Sequence, residues 1–158
     1  MSAAVDYRAM RPGEAEAVSA LIIASFDEFI GPDYDAEGIA EFHGFAAPEA
    51  LAARAAGDHL VRVATVDGTL AGMIEIRDHN HVALLFIDKA YQRRGIARGL
   101  LDTALAAARA ADPDVERVTL NSSRYGVAAY ERLGFRQTGP ERTVNGIVFI
   151  PMAMRLGD

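Results

Sequence analysis

Cysteine is absent from the 158-residue chain. Its absence excludes disulfide frameworks, thiolate zinc sites and cysteine nucleophiles, and with them whole classes of metalloprotein and protease. Also missing is any apolar stretch approaching the roughly 20 residues needed to cross a bilayer. The N-terminus, MSAAVDYRAM, lacks the basic and then apolar pattern of a secretion signal. We therefore expect a cytoplasmic protein that does not associate with a membrane.

Positive charge is scarce, since 16 basic residues against 22 acidic ones give a net charge of -6. Nucleic-acid binding needs a basic surface that displaces counterions, so we expect no nucleic-acid partner. The segment 12–53 holds nine Asp and Glu residues and neither Lys nor Arg. Two interpretations stay open for this acidic segment. It is either a solvated helical face or the lining of a site for a cationic ligand.

Hydrophobic periodicity predicts a mixed α/β fold in one domain over residues 1–158. Predicted strands are Val5–Ala9, Leu60–Val66, Thr69–Arg77, Val82–Ile87, Arg117–Leu120, a strand at Phe135, and Ile147–Met154. Predicted helices follow Pro12 through Phe26, cover Ala36–Phe42, run from Ile96 to near Asp112, and cover Val127–Leu133. Turn residues at Asp67–Gly68 and Asn145–Gly146 predict hairpins. The continuous apolar run Val82–Ile87 predicts a central strand that is covered on both faces.

Four basic residues surround Gly95 between this apolar strand and the following helix: Lys89, Arg93, Arg94 and Arg98. A glycine-containing loop that leads directly into a helix leaves backbone N–H groups unpaired at the positive end of the helix dipole. Such a loop favours a phosphate or pyrophosphate ligand. An ordinary turn with solvated arginines is the alternative. Neither G-x-x-x-x-G-K-[ST] nor G-x-G-x-x-G is present, so the usual nucleotide-binding loops are excluded.

Three ordered motifs resemble those of the GNAT superfamily of acyl-CoA-dependent N-acyltransferases. Gln92–Ala97 matches the [QR]-x-x-G-x-[GA] signature of that superfamily. Asn121–Ser123 is similar to its asparagine-bearing fifth strand, and Ala129–Phe135 is similar to its YEKLGF helix end. The resemblance implies a GNAT fold, a mixed and mostly antiparallel twisted sheet of about six to seven strands flanked by about four helices.

The resemblance also implies acetyl-CoA or coenzyme A as the cosubstrate and no metal. In GNAT proteins the pyrophosphate rests on backbone N–H groups of the signature, and the preceding strand offers main-chain groups to the pantetheine arm. The residues that this places around coenzyme A are Phe86, Ile87, Gln92, Arg93, Arg94, Gly95, Ile96, Ala97, Arg98 and Asn121.

Acetyl transfer to an amine needs two proton movements, one from the amine and one to the departing thiolate. Tyr130 occupies the position of the family's usual general acid and could donate its phenol proton to sulfur. The alternative is that Tyr130 is a core aromatic residue on the helical face shared with Val127 and Leu133.

The general base has several candidates. Histone-type GNAT members carry a catalytic glutamate eleven residues before the signature, and here that position is His81. An imidazole titrates near neutral pH and could serve. Glu75, His79 and a relay of water molecules are the other possibilities. His79 and His81 share a strand face, but a regular strand points Asp78 the other way, so a metal site is not expected.

These observations predict an N-acetyltransferase that transfers an acetyl group from acetyl-CoA to a primary amine by direct attack in a ternary complex. A non-catalytic acyl-CoA-binding sensor of the same fold is the alternative. In GNAT proteins the first two helices face the acyl-CoA, which would place the acidic segment 12–53 beside the acceptor and favour a cationic small molecule or peptide. A monomer or a homodimer is expected.

Overall fold

Eight strands form one open sheet with helices on both faces in the computed structural model, which describes residues 4–156. The strands are β1 Val5–Ala9, β2 Leu60–Val66, β3 Thr69–Arg77, β4 His81–Ile87, β5 Arg117–Ser122, β6 Arg136–Gln137, β7 Arg142–Val144 and β8 Ile147–Arg155. The helices are α1 Ala15–Phe29, α2 Ala36–Ala46, α3 Pro48–Ala56, α4 Ile96–Ala111 and α5 Val127–Leu133.

The strand order is β1-β2-β3-β4-β5-β8-β6, with β7 also paired to β8. Neighbouring strands are antiparallel except β4 and β5, which are parallel and joined through α4. The predicted mixed, mostly antiparallel sheet is therefore confirmed. The two predicted hairpin turns form with positive φ at Asp67 and Gly68 and at Asn145 and Gly146.

Two apolar clusters cover the two faces of the sheet. The first joins β2, β3, β4, β5 and β8 to α4, whose predicted stripe is buried along its length: Ile96, Leu100, Leu101, Ala104, Leu105 and Ala108. The second joins β2, β3 and β4 to α1, α2 and α3 through Val18, Ile22, Ala46, Leu51 and Met73. Strand β4 contributes Val82 to the first cluster and Leu84 to the second, as expected for a strand covered on both faces.

Helix α3 and strand β7 were not predicted. The segment PEALAARAA of α3 starts with proline at a helical N-terminal position and is rich in alanine, so its single buried leucine, Leu51, gives almost no periodic signal. All three residues of β7 are exposed, and their pairing with β8 depends on the Asn145–Gly146 turn. Within residues 4–156, no helix is long and apolar enough to cross a membrane.

A buried ion pair connects α3 to the sheet. Glu75 of β3 is fully buried, and its carboxylate accepts from Arg54 Nε at 2.6 Å and Nη2 at 3.1 Å. His59 Nδ1 lies 2.6 Å from Glu75 Oε2, and Arg54 Nη1 also donates to the carbonyl of Phe45 at 2.8 Å. The carboxylate of Glu75 therefore holds together the end of α2, helix α3 and the start of β2.

We expect Glu75→Ala to lower the free energy of unfolding by about 3 kcal/mol, because removing one partner leaves the other charge without compensation at a buried site. Urea unfolding followed by circular dichroism measures the change. Glu41→Ala, which removes an exposed carboxylate from α2, should change the stability by no more than about 0.5 kcal/mol. Equal effects of the two substitutions would contradict a stabilising role for the buried pair.

Candidate active site

The beginning of strand β4 pairs with the middle of β5, and the rest of β4 does not pair with β5. Their register joins His81 to Thr119 and Val82 to Leu120 and then stops. On the other side of β4, Val82 lies opposite Ile76 and Leu84 opposite Glu75, so Ala83 is an extra residue without a partner in β3. A bulge of this kind bends the strand, and beyond it β4 and β5 separate. The backbone of Ala83–Ile87 is thus left unpaired on the side of β5.

A cavity of about 760 Å³ occupies the space between the separated strands. On the side of the sheet it is lined by Val82, Ala83, Leu84, Leu85, Phe86, Ile87, Asn121 and Ser123. Helix α4 and its preceding loop add Tyr91, Gln92, Arg93, Gly95, Ile96, Ala97 and Arg98, and the region of α5 adds Tyr125, Gly126, Ala128, Ala129, Tyr130, Arg132 and Leu133. Residues Ser25, Phe26, Phe29, Ile30, Tyr34 and Phe42 close the side formed by α1 and α2. We call this space the central cavity.

The glycine loop, Gln92–Arg98, forms one end of the central cavity. Asp88 accepts a hydrogen bond from the backbone N–H of Ala90 at 2.9 Å and so stabilises the turn that precedes the loop. Arg93 and Gly95 take left-handed conformations with φ of 64° and 79°. Within residues 4–156, no backbone N–H from Arg93 to Arg98 has a protein acceptor. These donors and the positive end of the α4 dipole make the loop suited to an anionic group such as a phosphate.

Two arginine side chains of the glycine loop contact neighbouring segments. Arg98 Nη2 donates to the carbonyl of Arg132 at 3.1 Å, which connects α4 to α5. The Arg94 guanidinium lies 5.3 Å from the centre of the Tyr91 ring and is not part of the cavity lining. Ile96 is buried in the core beneath the loop. Every residue predicted to surround coenzyme A except Arg94 lines the central cavity, including Ile96.

Tyr130 lines the central cavity from α5. Its ring packs edge-on against Phe135 with centroids 5.9 Å apart, and it also contacts the core beneath α4. Burial raises the pKa of Tyr130 to about 12. The phenol therefore keeps its proton at neutral pH, as a general acid must. A core contact, which the packing interpretation predicts, and a position in the cavity lining, which a general acid requires, occur in the same residue.

The histidines and the glutamate considered as bases lie outside the cavity lining. His81 stands where β4 and β5 still pair, and its Nδ1 is 2.8 Å from Thr119 Oγ1. Burial, together with the nearby charge of Arg77, lowers the pKa of His81 to about 4. Glu75 is engaged by the ion pair with Arg54. The structure thus does not bring these groups together with Tyr130.

His79 also lies apart from Tyr130. It takes a positive φ of 60° just before β4 and is not part of the cavity lining. In the described part of the chain, no three His, Asp or Glu side chains are arranged to hold a metal ion.

Aromatic residues dominate one side of the cavity. We call this set the aromatic wall: Phe26, Phe29, Tyr34, Phe42, Phe86 and Tyr125. Its members come from α1, the segment between α1 and α2, α2, β4, and the segment between β5 and α5, so no local spacing connects all of them. The Tyr34 hydroxyl additionally donates to the carbonyl of Val148 in β8 at 2.8 Å.

Acidic residues of segment 12–53 lie outside the central cavity. Several contact basic side chains: Glu14 with Arg8 at 2.7 Å, Asp27 with His43 at 2.7 Å, Glu28 with Lys89 at 2.8 Å and Asp33 with Arg124 at 3.9 Å. Asp35 instead caps α2 by accepting from the backbone N–H of Gly38 at 2.9 Å. This arrangement fits the interpretation of an ion-paired and solvated face better than that of a cationic site.

A divided sheet with a glycine loop at the start of the crossover helix defines the class, an acyl-CoA-dependent acetyltransferase. Residues 30–156 match the acetyltransferase (GNAT) domain model, so the chain belongs to the GNAT family. The family predicted from the three motifs, and the enzyme class that goes with it, are confirmed. No curated protein matches the sequence.

Solved structures resemble the whole fold. The GCN5-related N-acetyltransferase of Rhodopseudomonas palustris has a TM-score of 0.81 at 22% identity, over 99% of each chain. The PaiA N-acetyltransferase of Thermoplasma acidophilum, solved in complex with coenzyme A, has a TM-score of 0.77 at 21% identity, over 97% of this chain and 99% of that one. Ard1 from Thermoplasma volcanium has a TM-score of 0.67 at 21% identity, over 98% and 99%. At these identities the likeness concerns the fold.

The lowered pKa of His81 predicts a specific loss of stability in acid. From its ordinary value of 6.5 down to about 4, the unfolded chain binds a proton at His81 that the folded chain does not. Stability therefore falls as the pH decreases through this window. We expect the Tm of the wild type to fall more steeply there than the Tm of His81→Asn, measured by scanning fluorimetry in a series of buffers. The matched control His79→Asn should keep the wild-type slope, and parallel curves for His81→Asn and wild type would refute the assignment.

Proposed function

We propose that this chain transfers the acetyl group of acetyl-CoA to a primary amine by direct attack within a ternary complex. One observation carries the proposal. The central cavity contains both the unpaired N–H groups of the glycine loop and the phenol of Tyr130, and it follows the unpaired edge of β4 between them.

Acetyl-CoA binding is supported by three parts of the cavity. The pyrophosphate would accept hydrogen bonds from the backbone of the glycine loop, where the arginines add positive potential. The pantetheine arm carries amide groups, which suit the unpaired main chain of Ala83–Ile87 and the exposed side chain of Asn121. The thioester would then lie near Tyr130.

In the reaction the amine nitrogen attacks the thioester carbonyl carbon, a C–N bond forms, and the C–S bond breaks. Sulfur leaves with the bonding electron pair and takes a proton from the Tyr130 hydroxyl. Donation to a thiolate in water would be unfavourable, because a free thiol has a pKa of about 8.5. A thiolate that forms within the cavity is desolvated like the phenol, which raises the pKa of the thiol and narrows this gap.

The attacking amine must lose a proton as well. No Asp, Glu, His or Lys of residues 4–156 lines the central cavity. Water is consequently better supported as the proton acceptor than His81 or Glu75, which lie outside the lining. The acceptor would react as the neutral amine, and no covalent enzyme intermediate is required.

Gly95→Val tests the binding half of the proposal. Coenzyme A at a hundred times its Kd should stabilise the wild type by about 2.7 kcal/mol, while ATP and NAD should do so far less. We expect Gly95→Val to lose this response, because valine strains a backbone with φ of 79° and projects a branched side chain into the loop. The measurement is the ligand-induced change in Tm.

Gly68→Val is the matched control. Gly68 also has a positive φ, of 83°, and open space around an added Cβ, but it lies in the turn between β2 and β3. Both variants should lose stability from backbone strain, while only Gly95→Val loses the response to coenzyme A. An unchanged response in folded Gly95→Val would refute the role of the loop.

Tyr130→Phe tests the chemical half. We expect kcat to fall by about tenfold or more, since general-acid catalysis contributes roughly a hundredfold to ten-thousandfold, while the affinity for acetyl-CoA stays nearly unchanged. Thiol release measures the rate, and calorimetry measures the affinity. Tyr7→Phe removes a half-buried phenol hydroxyl outside the cavity and should keep full activity. Full activity in Tyr130→Phe would show that Tyr130 is a packing residue and not the general acid.

A further inference from the structure

Apart from Phe86 of β4, the aromatic wall lines a part of the central cavity that neither the glycine loop nor β4 forms. Several of its rings contact one another. Phe26 stacks on Phe42 with centroids 4.0 Å apart, and Phe42 lies 6.0 Å from Phe86. Phe29 stacks on Tyr125 at 4.9 Å with an interplanar angle of 15°. If acetyl-CoA occupies the loop and the edge of β4, as proposed above, the acceptor amine meets these rings.

The charged residues around the aromatic wall do not favour an acceptor that carries a second positive charge. Among residues 4–156, the cationic side chains that line the cavity are Arg93, Arg98 and Arg132, and no carboxylate lines it. The nearest acidic residues of α1, Asp27 and Glu28, contact His43 and Lys89 instead. A polyamine would have to give up the hydration of its extra ammonium groups without finding an opposite charge.

The geometry of the rings also argues against a cation cage. A cation binds over an aromatic face that is free to receive it. Here one face of Phe26 is covered by Phe42, and one face of Phe29 is covered by Tyr125. The wall instead offers ring edges and partly covered faces, which suit another apolar or aromatic group.

We propose that the acceptor is a primary amine that carries an aromatic or similarly apolar group, and that Phe29 and Tyr125 determine this specificity. These two residues approach the cavity from different elements, the C-terminal end of α1 and the segment between β5 and α5. Tyr125 is 49% exposed, so much of its surface is available to a ligand. The inference rests on the proposed acetyl transfer, and its bond changes are those of that reaction.

The experiment compares kcat/KM for three amines at saturating acetyl-CoA: phenethylamine, butylamine and putrescine. Burying an aromatic ring is favourable, so we expect phenethylamine to exceed both others by about tenfold or more. This advantage should persist when salt is raised, because it does not depend on long-range attraction. A preference for putrescine that weakens with salt would overturn the inference in favour of a cationic acceptor.

Variants of Phe29 and Tyr125 test whether these residues produce the preference for phenethylamine. Phe29→Ala and Tyr125→Ala should each reduce the ratio of phenethylamine to butylamine by about fivefold or more, mainly through KM. Tyr125→Phe keeps the aromatic ring, so its ratio of phenethylamine to butylamine should equal that of the wild type. Phe45→Ala is the matched control, because Phe45 is an exposed aromatic residue of α2 outside the cavity lining. A ratio that Phe29→Ala and Tyr125→Ala leave unchanged would overturn the assignment.

Coenzyme A binding separates failure of this inference from failure of the proposed function. Stabilisation by coenzyme A together with acetylation of butylamine or putrescine, but not of phenethylamine, would overturn only the inference. Stabilisation without turnover of any of the three amines would also count against it and leave the binding assignment in place. Absence of both stabilisation and thiol release would overturn the proposed function itself.

Discussion

The insertion of Ala83 into β4 is the constraint on which the rest of the site depends. A strand with one residue too many cannot stay in register with both neighbours, and here the pairing with β3 is kept while the pairing with β5 ends after two residues. A continuous sheet would fill the space that becomes the central cavity. The same insertion leaves polar main-chain groups along β4 without partners, and such groups favour a ligand that supplies hydrogen bonds.

Helix α4 supports the sheet at the point where β4 and β5 separate. This helix packs its whole apolar stripe against the sheet beneath the separated strands, from Ile96 at the glycine loop to Ala108 near its end. The helix start is therefore fixed relative to β4, even though the loop before it has two left-handed residues. The N-terminal end of α4 can hold an anion in a defined place only if the helix does not shift. Burial of the apolar stripe of α4 provides that rigidity.

Residue patterns predicted the parts of the fold in which local sequence and tertiary packing agree. The stripe of α4, the continuous apolar run of β4 and the Asp67–Gly68 turn each carry a strong period or turn signal. Helix α3 gave no such signal, because its alanine-rich segment buries one leucine. Strand β7 gave none either, since an exposed strand of three residues needs no apolar alternation.

The candidate site residues also differ in whether local sequence carries a signal for them. Contiguous motifs carry the predicted site residues Gln92–Ala97 and Tyr130, whereas the aromatic wall assembles residues from separate elements. The charge of the acidic segment 12–53, counted along the chain, left two interpretations open. Ion pairs such as that of Glu28 with Lys89 are formed across it, so a local excess of carboxylates does not become a negative cavity.

The hydrogen bond from Tyr34 to Val148 has a consequence for solubility. Strand β5 pairs with β8 only from Ile150 onward, so the first residues of β8 have an open edge on that side. Open strand edges with apolar residues are templates for pairing between molecules. Because the Tyr34 hydroxyl occupies the carbonyl of Val148 on this edge, another chain would have to displace α2 and its adjoining turn before it could add a strand. A residue that closes one side of the cavity thus also covers an open strand edge.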